Sequence, residues 1–116
     1  SKAPGYVSWS AENRSQLVRI PAAPHEHRRA ELRSPDPLAN PSLAFTLMIY
    51  AGLHGLQNHL ELPTASDFNL YKASAKQLAQ YQRLPETLGQ ACTIASESEF
   101  IRKHIPADIL SIYCNR

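Results

Sequence analysis

The amino-acid sequence predicts an α+β fold in which short antiparallel strands lead into a buried helix and then several shorter helices. Three features point to that class. Residues that favour strands come in short pieces between Tyr6 and Leu32, the prolines of Ser34-Pro35-Asp36-Pro37 close that region, and the stretch from Ser42 to Leu60 is apolar on almost every side.

The first strand piece is Tyr6, Val7 and Trp9, the second Leu17, Val18 and Ile20, the third Ala30 and Leu32. β-Branched and aromatic side chains suit a half-buried pleated surface, so these read as two or three strands with a loop around Pro21 to His27. Each proline after Ser34 lacks a ladder donor and holds its predecessor in extended or turn geometry, which ends the last strand. A helix is expected next. Asn40 is a good N-cap, and Pro41 suits a first helical turn, where a missing N–H costs nothing.

Leu43, Phe45, Leu47, Met48, Ile49, Tyr50, Leu53, Leu56 and Leu60 then leave hardly any polar face, the pattern of a helix inside a larger body. Gly52 and Gly55 lower its helix propensity and imply that another backbone comes close. Pro63, Asp67 and Asn69 break the chain afterwards, and shorter helices are expected near 75–83, 85–96 and 97–114, the last interrupted at Pro106. Strands over about 6–33 and helices over about 41–114 thus form one domain, residues 1–116. So few short strands are too small to cover so apolar a helix and leave unpaired edges, so the sequence reads as a piece of something larger.

Composition narrows function less than fold. With 43% hydrophobic and 19% charged residues the chain falls in the globular range, which excludes a disordered tail. A formal charge of +2 argues against a nucleic-acid or membrane-surface protein, and no apolar run is long enough to span a bilayer. Ser1-Lys2-Ala3-Pro4-Gly5 has no apolar signal core, and Cys92 and Cys114 lie far apart in apolar stretches, so reduced thiols in a cytoplasmic protein are expected. The placement of charge says more. Of the 12 Lys and Arg, five are arginines between Arg14 and Arg33.

The densest cluster is Arg28-Arg29-Ala30-Glu31-Leu32-Arg33. Side chains alternate along a strand, so Arg29, Glu31 and Arg33 share one face and Ala30 and Leu32 the other. Such a face is either a solvated outer surface or a phosphate and metal site. Guanidinium groups bind phosphate oxygens in pairs, and a carboxylate between them can hold a divalent cation on the same phosphates. Phosphoryl transfer depends on such positioned positive charge. Arg14 and Arg19 lie on the preceding strand piece, where their odd spacing places them on opposite faces of a regular strand.

Val7-Ser8-Trp9-Ser10, Asn13-Arg14-Ser15, Arg19-Ile20-Pro21, Arg29-Ala30-Glu31-Leu32-Arg33-Ser34-Pro35-Asp36-Pro37 and Ala39-Asn40-Pro41 occur in an order and spacing that resemble the C-terminal part of the catalytic domain of bacterial type I glutamine synthetases. Ala51-Gly52-Leu53 with Gly55, and Asn69-Leu70-Tyr71, extend the resemblance. It implies an ATP-dependent ligase that makes glutamine from glutamate and ammonia through γ-glutamyl phosphate, with magnesium or manganese as cofactor. Arg14 matches an arginine on the transferring phosphoryl group and the substrate γ-carboxylate. Arg19 and Arg29 match nucleotide-phosphate arginines, Glu31 a divalent-metal ligand, and Arg33 an arginine serving the glutamate side.

The resemblance further implies homo-oligomeric rings, a dodecamer, with active sites between neighbouring subunits. It also implies that the other metal ligands lie outside this stretch, so the chain alone is expected to be inactive. Relatives that ligate glutamate to other amines, and a non-catalytic phosphate-binding or anion-binding module, are the alternatives. Where many relatives carry a lysine near the nucleotide, this chain has Glu26 between His25 and His27. Those two histidines are either a small metal site or polar loop residues, the commoner case. Tyr71 matches a tyrosine adenylylated in some relatives, but Lys72-Ala73-Ser74 follows it here and no modification is expected. Trp9 and Tyr50 read as packing residues.

Overall fold

The computed structural model describes residues 3–115. Ser1, Lys2 and Arg116, the ends of the 1–116 domain, lie outside the described residues, and so does the reading of Ser1-Lys2 as free of a signal core. The chain divides into two compact units, one from residues 1–35 and 62–84, the other from 36–61 and 85–116.

The first unit holds a three-stranded sheet in the order β1 (Trp9–Ser10), β2 (Val18–Arg19), β3 (Glu31–Leu32). β2 and β3 are antiparallel, with Val18 opposite Leu32 and Arg19 opposite Glu31. β1 and β2 are parallel, Trp9 beside Val18 and Ser10 beside Arg19, which corrects the expectation of antiparallel strands. Parallel neighbours normally need a long crossover to return the chain to the same end. Here each strand is two residues long, and the turns of residues 11–17 are enough. Ser10 Oγ accepts from the N–H groups of Glu12 and Asn13 at 3.4 and 3.3 Å, and Asn13 Oδ1 accepts from Ser15 N–H at 2.9 Å, the side-chain-to-backbone bonding that makes Asn and Ser turn formers.

The interior of this unit is largely polar. Ser8, Ser10, Ser15, Gln16 and Ser66 are buried beside Leu70. Buried hydroxyls are tolerated when they find partners. Ser15 Oγ donates to Asn13 Oδ1 at 2.7 Å and accepts from Leu70 N–H at 2.8 Å, and Ser66 Oγ donates to Tyr81 Oη at 2.7 Å. Trp9 joins the sheet to the later segment, its indole N–H donating to the Pro63 carbonyl at 2.6 Å while its own carbonyl accepts from Ser66 N–H at 2.8 Å. The short helix α1 of this unit (Ala75–Leu78) starts from a capping box between Ser74 and Gln77 and stops well before the expected 83.

The second unit contains α2 (Pro41–Gln57), α3 (Leu88–Glu97), α4 (Glu99–His104) and α5 (Ala107–Cys114). Asn40 caps α2 as expected, Oδ1 accepting from Leu43 N–H at 3.2 Å, and its Nδ2 donates to Tyr113 Oη at 2.9 Å. Thr87 and Ser98 cap α3 and α4 in the same way, so α3 begins at Leu88, later than Pro85. Pro106 separates α4 from α5, and Ile105 just before it is buried. Tyr50 of α2 stacks on His104 of α4 with ring centres 3.9 Å apart, and His54 meets Phe100 edge-on at 6.2 Å.

The α+β class therefore holds, but burial of the long helix does not: no residue of α2 is buried. Phe45, Ile49 and Leu56 are 62%, 63% and 75% exposed. The cause is supply of surface, since α4 is short and covers one side of a helix that is apolar on several. A Cβ added at Gly52 or Gly55 meets no atom within 4 Å, so the close backbone approach expected there is not made among the described residues.

Candidate functional site

The β2–β3 register creates the site. Because Arg19 and Glu31 are directly opposed across an antiparallel pair, their side chains rise on the same face, and Arg19 Nη1 lies 2.9 Å from Glu31 Oε2. Arg29, two residues before Glu31, reaches the other oxygen, Nε to Oε1 at 3.1 Å. Each carboxylate oxygen thus takes one guanidinium. The Arg19 hydrogen bond is the main cause holding the Glu31 carboxyl below the usual carboxylate range; partial desolvation opposes it and the Arg29 bond adds to it.

Arg19 Nε and Arg33 Nη1 are buried donors with no hydrogen-bond partner among the described residues. Such orphans are uncommon, and both atoms are enclosed by protein, not open to solvent. Arg33 is fixed at its backbone, where its N–H donates to the Leu17 carbonyl at 2.9 Å, and its side chain is half-buried. Arg14 is exposed in the turn of residues 14–15 and is not on a strand. The opposite-face spacing of a regular strand therefore does not apply to it.

Arg19, Arg29 and Glu31 are brought together as one ion cluster, whereas Arg14 and Arg33 are not bonded into it. Sequence reasoning overlooked Ser15 and Gln16. Gln16 is fully buried, its Nε2 donating to the Phe68 carbonyl at 3.1 Å, and with Ser15 it pins the turn that carries Arg14 to residues 68–70. The Asn-x-Ser turn pattern was the available signal; its long-range partners were not readable. Beside Arg29, an open depression is lined by Ile20, Pro21, Ala23, Arg28 and Ala30. His25 and His27 sit in an exposed 3-10 turn, and among the described residues no group of three or more His, Cys, Asp and Glu is placed to hold a metal. Glu31 alone therefore makes no metal centre, since magnesium favours six oxygens and both Glu31 oxygens are already ion-paired. Tyr71 is 47% exposed, and Cys92 and Cys114 are free thiols.

The family model described as "Glutamine synthetase, catalytic domain" matches residues 1–116. The chain belongs to the glutamine synthetase catalytic-domain family. It is 40% identical over 114 residues to a glutamine synthetase of Methanosarcina mazei, covering 97% of this chain and 26% of that one. To a glutamine synthetase of Staphylococcus aureus strain MW2 it is 36% identical over 116 residues, covering 98% and 26%. A solved structure of a GmaS/ADP complex superposes with a TM-score of 0.79 at 26% identity, over 97% of this chain and 25% of that one. The chain thus spans about a quarter of the length of the curated glutamine synthetases it matches. No helix among the described residues is long and apolar enough to cross a membrane.

Proposed function

We propose that this chain is the C-terminal part of the catalytic domain of a bacterial type I glutamine synthetase, a cytoplasmic enzyme that forms glutamine from glutamate, ammonia and ATP. The observation that carries the reading is the convergence of Arg19 and Arg29, from separate elements, on the Glu31 carboxylate. Such a constellation has the positive charge that phosphoryl transfer needs.

In this reading Arg19 and Arg29 hold nucleotide phosphates, and Arg14 contacts the transferring phosphoryl group and the substrate γ-carboxylate. Attack of that carboxylate on the γ-phosphorus releases ADP, and ammonia then displaces phosphate from the acyl phosphate. Arg33 serves the glutamate side. Glu31 supplies one ligand to a divalent ion, magnesium or manganese, which when bound neutralises phosphate charge. Ammonia is the favoured amine because both quoted curated relatives are glutamine synthetases. The active protein is a ring-forming oligomer, a dodecamer, and the remaining metal ligands come from polypeptide beyond this stretch.

The test is an ATP, glutamate and ammonia assay on the longer polypeptide that contains this sequence. Arg14→Ala and Glu31→Gln are each expected to lower kcat by about 100-fold or more with secondary structure unchanged, the usual cost of losing one transition-state contact. The 116-residue chain by itself is expected to show no turnover. Variants within twofold of the parent overturn the site assignment, and turnover by the short chain above its own Glu31→Ala control overturns its incompleteness.

A further inference from the structure

Arg14 is exposed, yet the two residues that follow it are buried: Ser15 is 2% exposed and Gln16 not at all. Neither lies on a strand. An arginine in an exposed bend ordinarily has the freedom of its loop as well as that of its own long side chain. The bonds around Arg14 remove the first. On one side, Asn13 N–H donates to Ser10 Oγ at 3.3 Å, and Asn13 Oδ1 accepts from both the N–H and the hydroxyl of Ser15, at 2.9 and 2.7 Å. This is an Asx turn with Arg14 at its centre. On the other side, Ser15 Oγ accepts from Leu70 N–H at 2.8 Å, and Gln16 Nε2 donates to the Phe68 carbonyl at 3.1 Å. The backbone is therefore tied on both sides of Arg14.

Stability does not account for Gln16. Its Oε1 is a buried acceptor with no hydrogen-bond partner among the described residues, and a buried polar atom left unpaired is a cost. An apolar side chain of similar length removes that cost while leaving the Phe68 carbonyl unpaired, so the two changes offset each other. What the amide supplies beyond filling space is direction, a fixed bond from the Arg14 turn to the backbone of residues 68–70.

We infer that Asn13, Ser15 and Gln16 are positioning residues for the reaction: together they fix the backbone from which the Arg14 side chain projects, and so limit where its guanidinium can lie. This rests on the role given to Arg14 in the proposed function. A reacting group misplaced by about 1 Å can cost about 100-fold in rate. Binding of ATP in the ground state depends on the other arginines of that reading, so loosening the turn lowers kcat more than it raises KM.

A double-mutant cycle on the intact longer polypeptide, assayed with ATP, glutamate and ammonia, tests this. Gln16→Met keeps the length of the side chain and removes the bond to Phe68; it is expected to lower kcat about 10-fold, with the KM for ATP within about twofold and Tm little changed. In an Arg14→Ala background the same change should alter kcat by less than about twofold, because an absent guanidinium has no position to lose. Equal losses in both backgrounds mean that Gln16 supports the fold at large, and an unimpaired Gln16→Met enzyme means that the bond is not needed; either result overturns the inference.

Asn13 gives a second route that leaves the buried residues intact, since its own position is half-buried. Asn13→Ala should also lower kcat about 10-fold, and Asn13→Asp, which retains the accepting oxygen, should recover most of that loss. No loss, or a loss without recovery, counts against the turn as a positioning device. The Arg14→Ala arm separates the two readings. If it leaves kcat unchanged, the role of Arg14 in the proposed function fails and the inference with it, whereas a large loss there with an uncoupled Gln16→Met refutes the positioning alone.

Discussion

Glu31 shows how much chemistry a single register decides. Alternation along the sequence put Arg29 and Arg33 on its face, and of these two Arg29 is ion-paired to it. The stronger partner, Arg19, lies across the sheet, and no spacing within the chain specifies which residue of one strand faces which residue of another. The consequence is a ranking. Arg19→Gln should return the Glu31 titration toward the ordinary glutamate range by more than Arg29→Gln does, because the Arg19 bond is the larger cause of its depression. Side-chain carboxyl NMR on isotopically labelled protein measures both, and a larger shift from the Arg29 variant would contradict the ranking. The sign with pH follows from a depressed folded value. The cluster's contribution is intact above the unfolded carboxylate range and is lost as pH falls through the lowered folded one.

At the scale of elements, caps and breakers were the most legible signals. Asn40, Pro41 and Pro106 did what their local chemistry dictates, because a cap is a bond between near neighbours. The strands were located, but their two-residue length and the parallel β1–β2 pairing were not, since both depend on contacts such as Trp9 with Pro63 that are far apart in sequence. Removing the α2 cap is a clean local test. Asn40→Ala should cost about 1 kcal/mol, and the Leu43 amide should exchange several-fold faster while amides of the sheet unit keep their rates. Asn40→Asp should keep most of the protection, since it retains the accepting oxygen. Hydrogen exchange read by NMR distinguishes the two. Equal losses in both variants would point instead to the bond from Asn40 Nδ2 to Tyr113.

For the whole molecule, the mismatch between a very apolar helix and a small sheet was visible in the sequence, and the exposed stripe of α2 is its structural form. What the sequence left unspecified was which side of the helix would be bare, because a helix without a polar face carries no directional signal. When produced alone, the 116-residue chain should bury that stripe against other copies of itself. Sedimentation is expected to show association that grows with concentration, reduced in the double variant Phe45→Asp, Ile49→Asp. A monomer at all concentrations would contradict this.

The serine-lined interior around Ser8, Ser15 and Ser66 has a thermal consequence as well. Exposing apolar surface raises the heat capacity on unfolding and exposing polar surface lowers it. A unit whose inside is mainly hydroxyl and amide groups therefore unfolds with little heat-capacity change, and its stability varies only weakly with cooling. The arginines proposed to bind phosphate are thus mounted on a platform held by directional bonds, which keep their geometry across a wide range of temperature but supply little drive for collapse.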